Sequence, residues 1–201
     1  MNIVTKSIKD DLEVQFNKPI EEISPEELSK VKNITINRIG FGTKIQKTDY
    51  NEILYFDNLE ELNIFNCMIN KILMSNITKL KKLRILKIYN SDFVDFIDDM
   101  FINLPLEKLT ISNCLGLKNA TLKDLEYLEL KNIDIDFLIK NVEILNISNI
   151  GTNIKMLNLV NVKKIIMSEK DYNEGRNFDN IKADIIIVND RMEKIREIRN
   201  G

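Results

Sequence analysis

Four times between residues 59 and 132 the chain spells one short phrase: Leu, two variable residues, Leu, one variable, Leu or Ile, one variable, Asn. The copies are Leu59-Glu-Glu-Leu62-Asn-Ile64-Phe-Asn66, Leu83-Arg-Ile-Leu86-Lys-Ile88-Tyr-Asn90, Leu106-Glu-Lys-Leu109-Thr-Ile111-Ser-Asn113 and Leu125-Glu-Tyr-Leu128-Glu-Leu130-Lys-Asn132. Within each copy the apolar residues alternate with variable ones. Period two is the pattern of a strand with one buried face, here Leu62 and Ile64 inward, Asn63 and Phe65 outward. Equivalent strands from successive copies are expected to pair in parallel, with the segment between two copies returning along the far side.

With the first residue of each Leu-x-Leu pair as a ruler, the marks fall at Ile34, Leu62, Leu86, Leu109, Leu128 and Leu145, at intervals of 28, 24, 23, 19 and 17 residues. Those intervals lie within or just below the roughly 20 to 29 residues of a leucine-rich repeat. Over about residues 24 to 162 the sequence resembles the leucine-rich repeat family, in particular the bacterial, internalin-like proteins whose repeats follow a small N-terminal helical cap. The resemblance implies an α/β solenoid of about seven or eight coils: a parallel β-sheet on the concave face, short helices and irregular returns on the convex face, and helical caps at both ends. It also implies that the concave face is where a partner binds. The sequence departs from the family in the slot after the phrase's Asn, where members commonly carry Asn or Cys. Here it holds Ile39, Cys67, Ser91, Cys114 and Ile133. A row of Asn66, Asn90, Asn113 and Asn132, one position earlier, is placed to bond open backbone groups of neighbouring coils.

The chain reads as one domain: a cap over 1–30, repeats over 31–189 and a closing helix over 190–201. Ile8, Leu12 and Phe16 stand at helical spacing, and Pro19 ends that element. Ser24-Pro25-Glu26-Glu27 is a helix start, with Ser as N-cap, Pro at the first position and Glu reaching back to the cap. Residues 31 to 36 read as the first strand. An irregular stretch with Gly40 and Gly42 then leads to a short helix over 49–56. Phe93, Phe96, Ile97, Met100 and Phe101 suggest a helical return between Leu86 and Leu109; later returns have room only for a turn or an extended segment. Beyond residue 140 two phrase copies, ending at Asn149 and Asn161, lie only 12 residues apart. Either Leu145, Ile165 and Ile185 continue the ruler with 154–160 on the convex side, or 154–160 is itself a repeat strand. The ending Ile185-Ile-Ile187-Val-Asn189 favours the first. Met192, Ile195 and Ile198 predict an amphipathic closing helix.

A formal net charge of −2 on 201 residues leaves no basic stripe for a phosphate backbone, so a nucleic-acid partner is not expected. No run of about eighteen apolar residues and no N-terminal apolar leader occur, so no membrane partner is expected and the compartment reads as cytoplasmic, or secreted or surface if a leader has been removed. There is no histidine, which removes the commonest general base and metal ligand together. Cys67 and Cys114 occupy one slot in two repeats that are separated by a third, a spacing of roughly 10 Å. That is too far for a disulfide, and both read as free, buried thiols. Asp171-Tyr-Asn173-Glu-Gly175-Arg-Asn177-Phe-Asp179 alternates oxygen-bearing side chains but places neither Gly nor Glu where a calcium loop needs them, and reads as a solvated loop. No cofactor, no metal and no catalytic residue is expected.

The outward positions form two columns: Phe65, Tyr89, Ser112, Lys131, Ser148, and Asn63, Lys87, Thr110, Glu129, Asn146. Adjacent Phe65 and Tyr89 make a candidate aromatic anchor, and Tyr127 with Ile85 and Ile144 a second patch. Phe65, Tyr89, Asn63, Lys87, Thr110, Tyr127 and Glu129 are therefore the candidate partner-binding residues of a monomeric, non-enzymatic protein-protein interaction module. The internalin resemblance carries the alternative, a surface or secreted adhesin or effector.

Overall fold

The structure, a computed structural model, describes residues 3, 5–38, 50–94, 101–117, 120–133, 138–149, 158–174, 182–189 and 191–199. It is a mixed α/β architecture with one large, mostly parallel sheet and few helices. Helix α1 (Lys6–Phe16) buries Ile8 and Leu12 and ends at Asn17 in a left-handed conformation. Helix α2 (Pro25–Leu28) starts as the sequence requires: Ser24 Oγ accepts from Glu27 N, and the Glu27 carboxylate accepts from Ser24 N. Strand β1 (Asn33–Asn37) follows. The Gly40–Gly42 stretch lies outside the described residues, and the expected short helix is a 3₁₀ turn over Asn51–Tyr55.

Strand β2 (Glu61–Phe65), the two-residue β3 (Met68–Ile69) and helix α3 (Lys71–Ile77) come next. The sequence reading missed α3, although Asn70 caps it by accepting from Leu73 N. Then come β4 (Ile85–Tyr89), the two-residue β5 (Asp92–Phe93), β6 (Lys108–Ser112), β7 (Thr121–Lys131) and β8 (Leu138–Ser148). Phe93, expected in a helical return, is instead in β5, paired with Ile69; residues 95–100 lie outside the described set. The chain closes with β9 (Asn158–Val160), β10 (Lys164–Ser168), α4 (Glu169–Glu174), β11 (Asp184–Val188) and β12 (Lys194–Ile198).

The main sheet runs β1-β2-β4-β6-β7-β8-β10-β11-β12, parallel throughout except for the last pair. Its register follows the ruler without slip: Ile34 faces Leu62, then Leu86, Leu109, Leu128, Leu145, Ile165 and Ile185. All eight are buried, as are the apolar residues two positions on, so one sheet face is the core. Of the two readings for the region after residue 140, the ruler through Ile165 and Ile185 is the one the pairing follows.

The strands end on asparagine for a backbone reason. Asn66, Asn90, Asn113, Asn132 and Asn149 have φ of 55°, 48°, 54°, 47° and 53°, a left-handed turn that asparagine tolerates better than other non-glycine residues. Their side chains bond one another: Asn66 Nδ2 donates to Asn37 Oδ1 at 2.9 Å, Asn113 to Asn90 at 3.0 Å, and Asn132 to Asn113 at 2.5 Å. The expected amide row exists, then, but its members bond neighbouring side chains, while the backbone N–H of Asn66, Asn90 and Asn113 donates to the carbonyl of Tyr89, Ser112 and Lys131. In the next slot Cys67 Sγ, Ser91 Oγ and Cys114 Sγ each donate to the carbonyl two residues back.

A second row was not anticipated. Asp124, Asn141 and Asn161 also have positive φ, and Asn161 donates to Asn141, which donates to Asp124. β7 and β8 therefore bend sharply at residues 124 and 141, and their first three residues pair with one another; β8's first three pair in turn with β9. This explains the two phrase copies only 12 residues apart: Asn149 belongs to the first row and Asn161 to the second.

The predicted C-terminal helix is a strand. Asn189 Oδ1 accepts from the N–H of Arg191 and Glu193, and the resulting tight turn sends β12 back antiparallel along β11. Unpaired edge groups on β11 outweigh a weak helical periodicity, and Met192 and Ile195 remain exposed. At the opposite edge, α1 covers β1: Asp11 Oδ2 accepts from Thr35 N at 2.9 Å, and Gln15 Nε2 donates to Asn33 O at 3.0 Å.

Candidate functional site

The face of the sheet opposite the core carries the candidate residues in register. Along one row Asn63 lies beside Lys87, then Thr110, Glu129 and Asn146; along the next Phe65 lies beside Tyr89, then Ser112, Lys131 and Ser148. Alternation puts both rows on one face because Leu62, Ile64 and their equivalents occupy the other.

Phe65 and Tyr89 stack with ring centroids 4.8 Å apart and planes inclined by 11°, within the separation at which aromatic pairs are favourable. Both rings are half-buried. Burial pushes the Tyr89 phenol up, and the nearby Lys87 charge opposes it. Lys87 Nζ lies 2.8 Å from Glu61 Oε1, and this bond holds its ammonium above its ordinary value. Tyr127 accepts from Asn146 Nδ2 at 3.0 Å; burial raises its phenol, which the Glu129 charge also pushes up.

Two expectations need correction. Thr110, taken as an exposed contact, is only 6% exposed, and Ser112 and Asn146 are as covered, at 5% and 7%; Thr110 lies between Lys87 and Glu129, and Ser112 between Tyr89 and Lys131. Tyr127 lies beside Ile144 across a strand pair, but Lys108 separates it from Ile85, so those three do not form one patch. Asn63, Lys87, Tyr127 and Glu129 are all half-buried, and alternation alone does not tell a covered threonine from an exposed one.

Cys67 and Cys114 are free and buried. Burial raises the Cys67 thiol, whose sulfur lies 3.5 Å from Tyr50 Oη, and pushes Cys114 up to about 11; a thiol so held is a poor nucleophile. The Asp171 carboxylate is buried: its Oδ2 accepts from Ser168 Oγ at 2.6 Å and from Asn149 N at 3.0 Å. Residues 175–179 of that stretch lie outside the described set. Among the described residues no three His, Cys, Asp or Glu side chains are grouped to hold a metal ion, and no helix is long and apolar enough to cross a membrane.

No protein-family model matches the chain, and no curated protein matches it.

Proposed function

We propose that this chain is a leucine-rich repeat solenoid of the internalin-like type whose exposed sheet face binds a protein partner, with no catalytic step. The observation that carries the reading is the Phe65–Tyr89 stack, two half-buried aromatic rings 4.8 Å apart on a face that also carries Lys87, Glu129, Lys131, Ile85 and Ile144. Aromatic residues on a rigid platform lose little conformational entropy on binding, and they are over-represented among residues that dominate interface energies. The slip-free register and the repeated left-handed asparagine support a repeat architecture, and the lack of histidine supports a non-enzymatic role.

The test is affinity purification on the full chain followed by mass spectrometry, then titration of the recovered partner against wild type and the Phe65→Ala/Tyr89→Ala double variant. The double variant is expected to bind at least about thirtyfold more weakly, the scale of a hot-spot pair. Unchanged affinity would remove this face as the binding site.

A further inference from the structure

Strand β6 carries short side chains between neighbouring strands that carry longer ones, an arrangement that defines a slot along it. Of its three outward residues, Lys108, Thr110 and Ser112, the last two are hydroxyl side chains, while the strands on either side carry Lys87 and Tyr89, and Glu129 and Lys131 beside them. Thr110 and Ser112 are more than nine-tenths buried, yet among the described residues neither hydroxyl has a hydrogen-bond partner. No fully enclosed side-chain oxygen or nitrogen among the described residues lacks a partner, so both hydroxyls open into the slot. Hydroxyls in such a position lose part of their hydration without gaining a protein bond, a cost that a ligand's polar group removes.

The charges around the slot are not balanced. Lys87, Lys108 and Lys131 stand against Glu61 and Glu129, on a chain whose net charge is −2. Glu61 is taken up by Lys87 at 2.8 Å. Glu129 sits on the wall above Thr110, where its charge bears on the Tyr127 phenol. Lys131 has serines on both sides, Ser112 and Ser148, and no ion pair among the described residues. An exposed ammonium between two hydroxyl side chains, one of them more than nine-tenths buried, matches a carboxylate, which accepts from all three donors.

We propose that the slot over β6 takes an acidic side chain of the protein partner, its carboxylate accepting from Lys131 and Ser112 while the Phe65–Tyr89 stack holds an adjacent apolar residue. This rests on the reading of the face as a binding surface and adds the class of residue it selects. Lys131 sets the sign of the selected charge; the aromatic stack supplies affinity whatever that charge is.

The test is selection of a random peptide library on the immobilised full chain, run in parallel on wild type, Lys131→Glu and the Phe65→Ala/Tyr89→Ala double variant. Lys131 is exposed, so its substitution leaves the core intact. The expected result is that wild type enriches peptides with Asp or Glu next to an aromatic or aliphatic residue. Exchanging that acid for its amide should weaken binding roughly 10- to 100-fold, and Lys131→Glu should shift the selected residue to Lys or Arg. Peptides that depend on Phe65 and Tyr89 but show no acidic preference, or one that Lys131→Glu leaves unchanged, overturn the slot while sparing the binding face. Binders indifferent to the double variant overturn both, and failure to enrich any peptide overturns the slot.

Discussion

At the scale of single residues, the asparagines at the strand ends combine two tasks: a left-handed turn and a side-chain bond to the next strand's equivalent. Asn113 does both, with φ of 54° and amide bonds to Asn90 and Asn132. Asn113→Gly loses the bonds but keeps the turn without strain, whereas Asn113→Ala loses both. Alanine is therefore expected to destabilise by about 1 kcal/mol more than glycine, as read from urea midpoints; equal losses would show that the turn carries no strain. Cys114 gives a pH dependence. Its ordinary value is 9.0, and burial pushes it to about 11, so the folded chain keeps a proton that the unfolded chain releases. The resulting stability is complete below pH 9 and lost as pH rises through about 11, by roughly 2–3 kcal/mol. Urea midpoints across that window should fall less steeply for Cys114→Ala than for wild type. Parallel slopes would show that this thiol is not the group responsible.

At the scale of elements, legibility followed how local the cause was. The capping box at Ser24 and Glu27 and the run of α1 are short-range signals, and both appear as read. The ruler strands were legible because a one-residue slip would bury Asn63 and expose Leu62. The closing element was not, because Met192, Ile195 and Ile198 satisfy a helical spacing while the deciding factor is the open edge of β11, a tertiary feature. Removing residues 190–201 uncovers that edge, which presents the unpaired backbone of Ile185, Ile186 and Ile187. The truncated chain is expected to associate beyond the state of the full chain, measured by size exclusion with light scattering; an unchanged state would mean that β12 does not protect the edge. The site was half legible for a similar reason. Which residues face outward follows from period two, but that Thr110 and Ser112 lie beneath their neighbours follows from the lengths of side chains on adjacent strands.

At the scale of the whole molecule, the two ends of the sheet are built by different means. A helix lends the carboxylate of Asp11 to β1 at one end, and an antiparallel strand closes the other. Between them the second asparagine row went unread because its signal, an Asp or Asn before Leu125, Val142 and Val162, is indistinct in an asparagine-rich chain. From Ile34 to Leu145 the intervals between equivalent residues fall from 28 to 17, and they return to 20 at Ile165 and Ile185, while the paired ruler residues stay in line. The alignment of the outward rows is thus independent of how much chain lies between one strand and the next. Length differs between the connections without changing the spacing of the outward side chains, even though those connections contribute Ile53, Phe56, Leu73, Met74 and Ile77 to the core. Insertions and deletions in the connections leave the outward rows aligned, and point substitutions within those rows change which side chains the face presents.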